Sequence, residues 1–297
     1  MKVLVTGSAG RIGGAIVQCL RPLHAVVGLD LRPAAEVDMV GDLREQALLQ
    51  RALRGVDAVV HVAALHAPQV GSSTDAEFES INVGATRQLI DAALAAGVGR
   101  IVYTSTTALY GSAATPSGRA GWVDEDLPPQ PRTIYHRTKL AAEALLERAA
   151  RDHGLGVTVL RMSRCFPEPA PLMAAYRLHR GVDARDVAQA HALALRASAA
   201  GLRRFVISGA TPFQPHDMAE LARDAASVWH RRAPALVQAF EQRAWPLPET
   251  VDRVYCAQRA ALELGWRPRF GFEEVLREWD QGSPQVLPPL RQRSACE

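Results

Sequence analysis

Short apolar, β-branched runs alternate with longer stretches of helical periodicity along most of the chain, and this alternation limits the fold more than any other feature. Residues 2–6, 25–30, 37–42, 57–64, 100–106, 157–162 and 203–209 read as buried parallel strands. Residues 11–20, 43–53, 77–96, 133–153 and 183–199 carry apolar side chains at three- and four-residue intervals and read as helices. Parallel neighbours require a crossover between them, so this order predicts an α/β fold, a doubly wound parallel sheet with helices on both faces and right-handed connections. After about residue 210 prolines and tryptophans become frequent, as in TPFQPHD, RAWPLP and GWRPRFG. That change predicts a small C-terminal lobe on the carboxyl edge of the sheet. The expected division is a core of 1–163 continued by 183–208, with 164–182 and 209–297 forming the lobe.

Several function classes are disfavoured. The 297 residues are 48% hydrophobic and 22% charged, near the globular average and far from disordered or collagen-like chains. A net charge of +3 with both signs interspersed offers no basic stripe for a phosphate backbone, so nucleic acid is not an expected partner. Nothing approaches the run of about eighteen apolar residues that spans a bilayer, and the chain opens on a strand-like VLVTG where a leader would carry basic and then apolar residues. No membrane association is expected, and a cytoplasmic protein is. Cys19, Cys165, Cys256 and Cys296 lie far apart without metal-ligand spacing, which predicts reduced thiols and no structural metal. Motifs for a phosphate-binding Walker loop, a zinc-protease helix or a serine nucleophile elbow do not occur.

The turn after the first strand reads Val5-Thr6-Gly7-Ser8-Ala9-Gly10-Arg11-Ile12-Gly13. Gly7 suits the tight turn, Gly10 lets the backbone approach a pyrophosphate, and Gly13 lets the helix sit close to the strand, its N-terminal amides facing the anion. Asp30 ends the second strand, roughly twenty residues further on, where a carboxylate accepts hydrogen bonds from an adenosine ribose. Its charge repels a 2′-phosphate, which favours NAD over NADP, although Arg11 and Arg32 offset part of that repulsion. Asp42 follows the third strand within reach of an adenine, and Asp42-x-x-Glu45 also has the form of a helix capping box. His61 reads as a satisfied, partly buried histidine, and the small residues after it let a cofactor pass over the strand end.

Tyr135 and Lys139 stand four apart at the start of a strong helix, so both project from one face. An ammonium beside a phenol favours the phenolate and brings it toward the working pH, which suits proton removal as hydride leaves a carbon. Thr104-Ser105-Thr106-Thr107 ends the fifth strand at the same edge of the sheet, where a hydroxyl could steady charge on a substrate oxygen.

Together these pieces resemble the extended short-chain dehydrogenase/reductase superfamily, specifically its NAD-dependent epimerase/dehydratase branch. The likeness covers nearly the whole chain: TGSAGRIG, Asp30, GDL at 41–43, HVAA, Asn82 in NVGAT, TSTTALYG at 104–111, YHRTK at 135–139 and the closing VYCAQRAALELGWRPRFGFEEVL. The resemblance implies a Rossmann core with Thr106 as catalytic hydroxyl (Ser105 as fallback), Tyr135 as general base or acid, and Lys139 as the group that lowers its pKa and holds the nicotinamide ribose. It implies NAD-binding positions at Gly7, Gly10, Arg11, Ile12, Gly13, Asp30, Leu31, Arg32, Asp42, Leu43, Val62, Ala63, Ala64, Asn82, Thr104, Tyr135, Lys139, Met162 and Ser163. Substrate positions are implied at His66, Thr106 and Arg164, with Arg164 either recognising a carboxylate or phosphate or pairing with Glu168 or Asp183. Family members commonly form homodimers through helices that here span 77–96 and 133–153.

Two departures narrow the expectation. Thr107-Ala108 stands where dehydratases of the family carry Asp-Glu, so loss of water is disfavoured. Residues 170–182 alone separate the FPEP segment from the helix at Asp183, where sugar-nucleotide epimerases insert several tens of residues. That compact design, with the run 161–169, resembles uronate dehydrogenases and related small reductases. The expected activity is hydride transfer between NAD and a secondary alcohol or hemiacetal carbon of a small polar compound such as a sugar acid. An NAD-dependent sugar or nucleotide-sugar epimerase is the alternative, and an NAD-binding sensor without turnover is the alternative of another class.

Overall fold

Alternate residues of the first strand, Leu4 against Val3 and Val5, belong to two different hydrophobic layers, as the two-residue period of a strand buried on both faces requires. The computed structural model describes residues 1–197 and 201–289; residues 198–200, which take in the last two of the expected helix 183–199, and the tail from 290, including Cys296, lie outside the described residues. Nine strands are formed among the described residues: β1 (Lys2–Thr6), β2 (Ala25–Asp30), β3 (Met39–Val40), β4 (Ala58–His61), β5 (Arg100–Thr106), β6 (Gly121–Val123), β7 (Gly156–Met162), β8 (Gly201–Ile207) and β9 (Arg253–Tyr255). Seven of them form one parallel sheet in the order β3-β2-β1-β4-β5-β7-β8. The doubly wound reading is therefore correct. The expected strand at 37–42 shrinks to Met39–Val40 at the sheet edge.

Helices Gln46–Ala52, Ala85–Ala95 and Ile134–His153 cover one face through Leu49, Leu89 and Leu146 packed with Leu4, Val59 and Ile101. Helices Arg11–Leu20 and Ala184–Arg196 cover the other through Ile16, Val17, Val187 and Leu195 packed with Val5, Val60 and Leu160. The helix expected at 77–96 is broken by a π-helical segment over Glu79–Gly84 that carries Asn82.

A third core surrounds Trp229, Phe213 and Phe240, and is built by helices Ala170–Tyr176, Ala225–Arg232, Pro234–Glu241 and Phe272–Asp280. Sequence reasoning assigned 120–123 to the core, but β6 pairs in parallel with β9, and Ala120 packs among the residues of the lobe. The closing segment is tied back to the sheet layers by Asp186, whose carboxylate accepts from the amides of Arg269 (2.8 Å) and Phe270 (3.1 Å) and whose carbonyl accepts from the Trp266 indole (2.9 Å).

Candidate active site

Strand order reverses between β1 and β4, so the loops after them diverge and open a crevice at their carboxyl ends. Gly7 closes β1 with φ +72°, and a Cβ there would stand 2.7 Å from the amide nitrogen of Ala63, so the two loops meet only because this residue is glycine. A Cβ on Gly13 would fall 2.0 Å from the Gly7 carbonyl oxygen, which confirms its helix-to-turn packing role. Gly10 is different: its added Cβ would meet only the Gly7 oxygen, at 3.3 Å.

A cavity of about 720 Å³ occupies the crevice. Of the expected cofactor positions, Gly7, Gly10–Gly13, Asp30–Arg32, Asp42, Leu43, Val62–Ala64, Thr104, Tyr135, Lys139, Met162 and Ser163 line it, as do His66, Thr106 and Arg164. Asn82 does not line it. Its amide instead accepts from the Leu65 amide (2.7 Å) and donates to the Leu65 carbonyl (2.9 Å) and to Thr138 Oγ1 (3.1 Å), tying the loop after β4 to the helix that carries Tyr135.

Asp30 accepts from the amides of Ala9 (3.0 Å) and Arg32 (3.1 Å), which fixes its carboxylate at the end of β2. Asp42 is not a helix cap. The helix starts at Gln46, and the Asp42 carboxylate is held by the Arg44 guanidinium, whose hydrogen bonds keep it below the usual carboxylate range. A cap at Asp42 would need the helix to begin one turn earlier.

His61 is fully enclosed. Thr86 donates to the Asn82 carbonyl and so accepts from His61 Nε2 (2.9 Å), leaving Nδ1 to accept from Thr6 Oγ1 (2.8 Å). Burial, and then the charge of Lys139, push its pKa down to about 3, so it is a neutral structural residue. Thr104 bonds His191 Nε2 (2.7 Å), and because His191 Nδ1 donates to the Val187 carbonyl, the threonine hydroxyl is the donor.

Alternation along β5 separates its hydroxyls. Ser105 donates to Glu143 (2.6 Å), which is locked in a buried ion pair with Arg161 at 2.7 Å, so the fallback position is committed to the interior. Thr106 accepts from the Ala108 amide (3.1 Å) and lines the cavity together with Tyr135. Burial pushes Tyr135 up to about 12. This corrects the expected pairing: the Lys139 ammonium donates to the Thr104 carbonyl oxygen (2.7 Å) and lies 4.1 Å from the centre of the Tyr103 ring. Its own pKa falls to about 7 through burial, opposed by Glu143.

Met162 and Ser163 leave the end of β7, and the Ser163 hydroxyl is buried without a partner. His66, implied as a substrate position, is half-buried and stacks on Phe166 with ring centres 5.9 Å apart. Arg164 pairs with Glu168, and Asp183 is instead taken by Arg177 and Arg185. Sequence reasoning missed Phe166, Arg180, Arg253 and Tyr255, which line the cavity from the lobe side. Tyr255 falls inside the closing motif VYCAQRAALELGW, the one signal that could have drawn attention to β9.

Comparison with known proteins agrees with this geometry. L-Arabinose 1-dehydrogenase (NAD(P)(+)) of Haloferax volcanii is 34% identical over 170 residues, 54% of this chain and 66% of that protein. A dTDP-glucose 4,6-dehydratase of Streptomyces antibioticus is 29% identical over 99% of this chain and 97% of its own length. Among solved structures, a short-chain dehydrogenase/reductase superfamily protein of Agrobacterium tumefaciens with bound NAD superposes with a TM-score of 0.72 at 24% identity, covering 94% of this chain and 95% of that one. UDP-glucose 4-epimerase of Thermus thermophilus, in complex with NAD, gives 0.67 at 25%, covering 93% and 97%. Residues 3–170, from β1 through the start of the lobe and so across all the expected site residues, match the NAD dependent epimerase/dehydratase family, and the chain belongs to that family.

Proposed function

We propose that this protein transfers hydride between NAD and a secondary alcohol or hemiacetal carbon of a small, polar, sugar-like substrate. The observation that carries this reading is that Thr106 and Tyr135 line the same cavity as the glycine turn and Asp30.

The residues fit the dinucleotide. Gly10 leaves open backbone at the helix N-terminus for a pyrophosphate, Asp30 presents a carboxylate to a ribose, and the buried Ser163 hydroxyl lacks a partner within the protein. Asp42 and Leu43 would flank the adenine, and Val62–Ala64, Thr104, Lys139 and Met162 would line the remainder. When bound, NAD supplies the hydride acceptor. Thr106 orients the substrate oxygen. Tyr135, with a pKa of about 12, holds its proton at neutral pH and donates it to a carbonyl oxygen in the reductive direction. In the oxidative direction the phenolate takes the hydroxyl proton, and rising pH favours that form. Lys139 holds the carboxyl end of β5 in place through Thr104.

Mixing the protein with NAD and a panel of sugars and sugar acids tests the reading. NADH absorbance that grows with substrate supports it. Product formed without net NADH makes the protein an epimerase, which uses the same residues. A Tyr135→Phe protein indistinguishable from the unmodified one would make it a binding-only sensor.

Homodimer formation through helices Ala85–Ala95 and Ile134–His153 is part of the proposal, supported by exposed small residues Ala95, Ala141 and Ala144 on their outer faces. A cytoplasmic setting accords with the free thiols at Cys19, Cys165 and Cys256. Among the described residues no helix is long and apolar enough to cross a membrane.

A further inference from the structure

The last described segment of the chain returns to the glycine-turn end of the crevice. Helix Phe272–Asp280 ends in a Schellman motif: Gly282 takes φ +66°, its amide donates to the Trp279 carbonyl (2.9 Å), and the Ser283 amide donates to the Glu278 carbonyl (2.9 Å). That left-handed residue turns the chain back onto the lobe, where Val286 is buried in the core. Leu287 then pairs with the segment that leaves β7. Its amide donates to the Glu168 carbonyl (2.9 Å), and its own carbonyl accepts from the Ala170 amide (2.9 Å). Between these anchors the exposed Gln285 accepts a hydrogen bond from Arg11 Nη1, a contact between residues 274 apart in the chain.

Ser283–Leu287 thereby joins two rims of the crevice. Arg11 opens the helix that follows the glycine turn, and it lines the cavity. On the other rim Cys165 and Phe166 line the cavity just before the segment that Leu287 bonds. The rims are close neighbours: burial pushes the Cys165 thiol up, and the charge of Arg11 opposes that shift. A cation in the first turn of a helix is disfavoured by the helix dipole, and this turn holds no acidic residue and no side-chain cap. Gln285 supplies a neutral acceptor. It fixes one end of the guanidinium without cancelling the charge that an anion in the cavity would meet. Gln285 itself does not line the cavity, so it acts on the crevice through Arg11.

We propose that Ser283–Leu287 is a strap that governs coenzyme exchange: latched by Gln285 onto Arg11 in both the free and the loaded protein, it must unlatch for NAD or NADH to enter or leave. This goes beyond the proposed hydride transfer and rests only on coenzyme binding in the crevice. Net oxidation requires NADH to depart after each turnover, whereas an epimerase returns the hydride to its substrate and keeps the coenzyme. The strap acts on the step that separates those two activities. A latch present in both states raises the barriers to entry and to release by the same amount and leaves the affinity nearly constant. A residue that only touched the bound coenzyme would change release and affinity together.

The test is stopped-flow fluorescence of NADH binding and release by the full chain, which needs no substrate. Gln285→Ala should raise both rate constants by roughly fivefold, the weight of one ordinary hydrogen bond, and keep the dissociation constant within about twofold of the unmodified value. Gln285→Lys, which sets a second cation against Arg11, should raise both at least as far. Gln281→Ala is the control: Gln281 stands at the base of the strap but accepts from Arg277 (2.6 Å), so its loss should leave both rate constants as they are. Amide hydrogen exchange gives an independent reading. The Leu287 amide should exchange faster in Gln285→Ala at an unchanged melting temperature, because residue 285 is exposed. The strap is overturned if neither rate constant moves, if release alone quickens and affinity weakens with it, if Leu287 exchanges no faster, or if Gln281→Ala has the same effect. Failure of the unmodified protein to bind NADH at all sinks the coenzyme site and the strap together. NADH binding with unaltered rates in the variants sinks the strap alone and leaves the hydride-transfer reading standing.

Discussion

Lys139 reaches the carbonyl oxygen of Thr104 at 2.7 Å, two residues before Thr106, and so braces the strand end that carries the hydroxyl proposed to orient the substrate oxygen. The phenol four residues earlier on the same helix lines the same cavity as Thr106. The two members of the helix pair thus meet at one strand end, the lysine on its backbone and the tyrosine in the cavity beside it.

Replacing Tyr135 by Phe removes the proposed proton carrier and keeps the ring. Turnover should fall by about 100- to 10,000-fold, the range general acid–base groups supply, with the NADH dissociation constant close to that of the unmodified protein. Oxidation by the unmodified protein should accelerate as pH rises from neutral, since the phenol lies near 12 and only its ionised form accepts a proton. A flat pH profile together with an active Phe protein would exclude Tyr135 from the chemistry.

Gly10 and Gly13 should part company on alanine substitution. Gly13→Ala places a methyl 2.0 Å from the Gly7 oxygen and should cost about 1–3 kcal/mol or more in overpacking, read as a lowered melting temperature. Gly10→Ala meets the same oxygen at 3.3 Å and should melt near the native temperature while binding NADH more weakly. Equal melting temperatures with equal NADH affinities would contradict the assignment of Gly10 to a ligand.

Asp30→Asn keeps the size of the side chain that meets the Ala9 and Arg32 amides but removes its charge. The ratio of NADPH to NADH dissociation constants should fall by roughly tenfold, the worth of one charge-assisted hydrogen bond, with Arg11 and Arg32 left to attract a 2′-phosphate. Fluorescence titration with both coenzymes measures it, and an unchanged ratio would mean that Asp30 does not select the coenzyme.

Lys139 ties stability to pH. Its folded pKa of about 7 lies below its ordinary 10.5, so between those values the unfolded chain holds more protons and stability rises with pH. Lys139→Met abolishes that dependence. Urea unfolding should show the variant gaining on the unmodified protein at pH 6, by at most a few kcal/mol, and losing this advantage as pH approaches 10. A pH-independent difference between the two would place the ammonium in a better-solvated position.

Acid should act through three buried neutral histidines. His61 (about 3), His179 (about 4) and His191 (about 4) all lie below the ordinary 6.5, so the unfolded state takes up protons first as pH falls and stability declines from about 6.5 downward. Each contributes up to ~2 kcal/mol between pH 6.5 and 5. His191→Asn should flatten the slope by about one third, and an unaltered slope would show that this histidine titrates normally.

The layer order, the glycine turn, Asp30 and the Tyr135/Lys139 pair were legible in the chain because each depends on local backbone geometry. A two-residue or 3.6-residue period, a left-handed turn at Gly7 and a shared helix face are properties of neighbouring residues. What each side chain bonds to was decided by tertiary packing. Packing around β5 sent Ser105 to Glu143 and left Thr106 to the Ala108 amide, and the loop after β4 claimed Asn82. Burial placed the phenol near 12 and the ammonium near 7, the opposite of what a solvated pair would do, because desolvation penalises whichever form is charged. Arg180 and Arg253, more than seventy residues apart, meet only because β9 returns to pair with β6 and bond the turn at His179. Charge convergence of that kind is set by the path of the chain through space, to which no local pattern is sensitive.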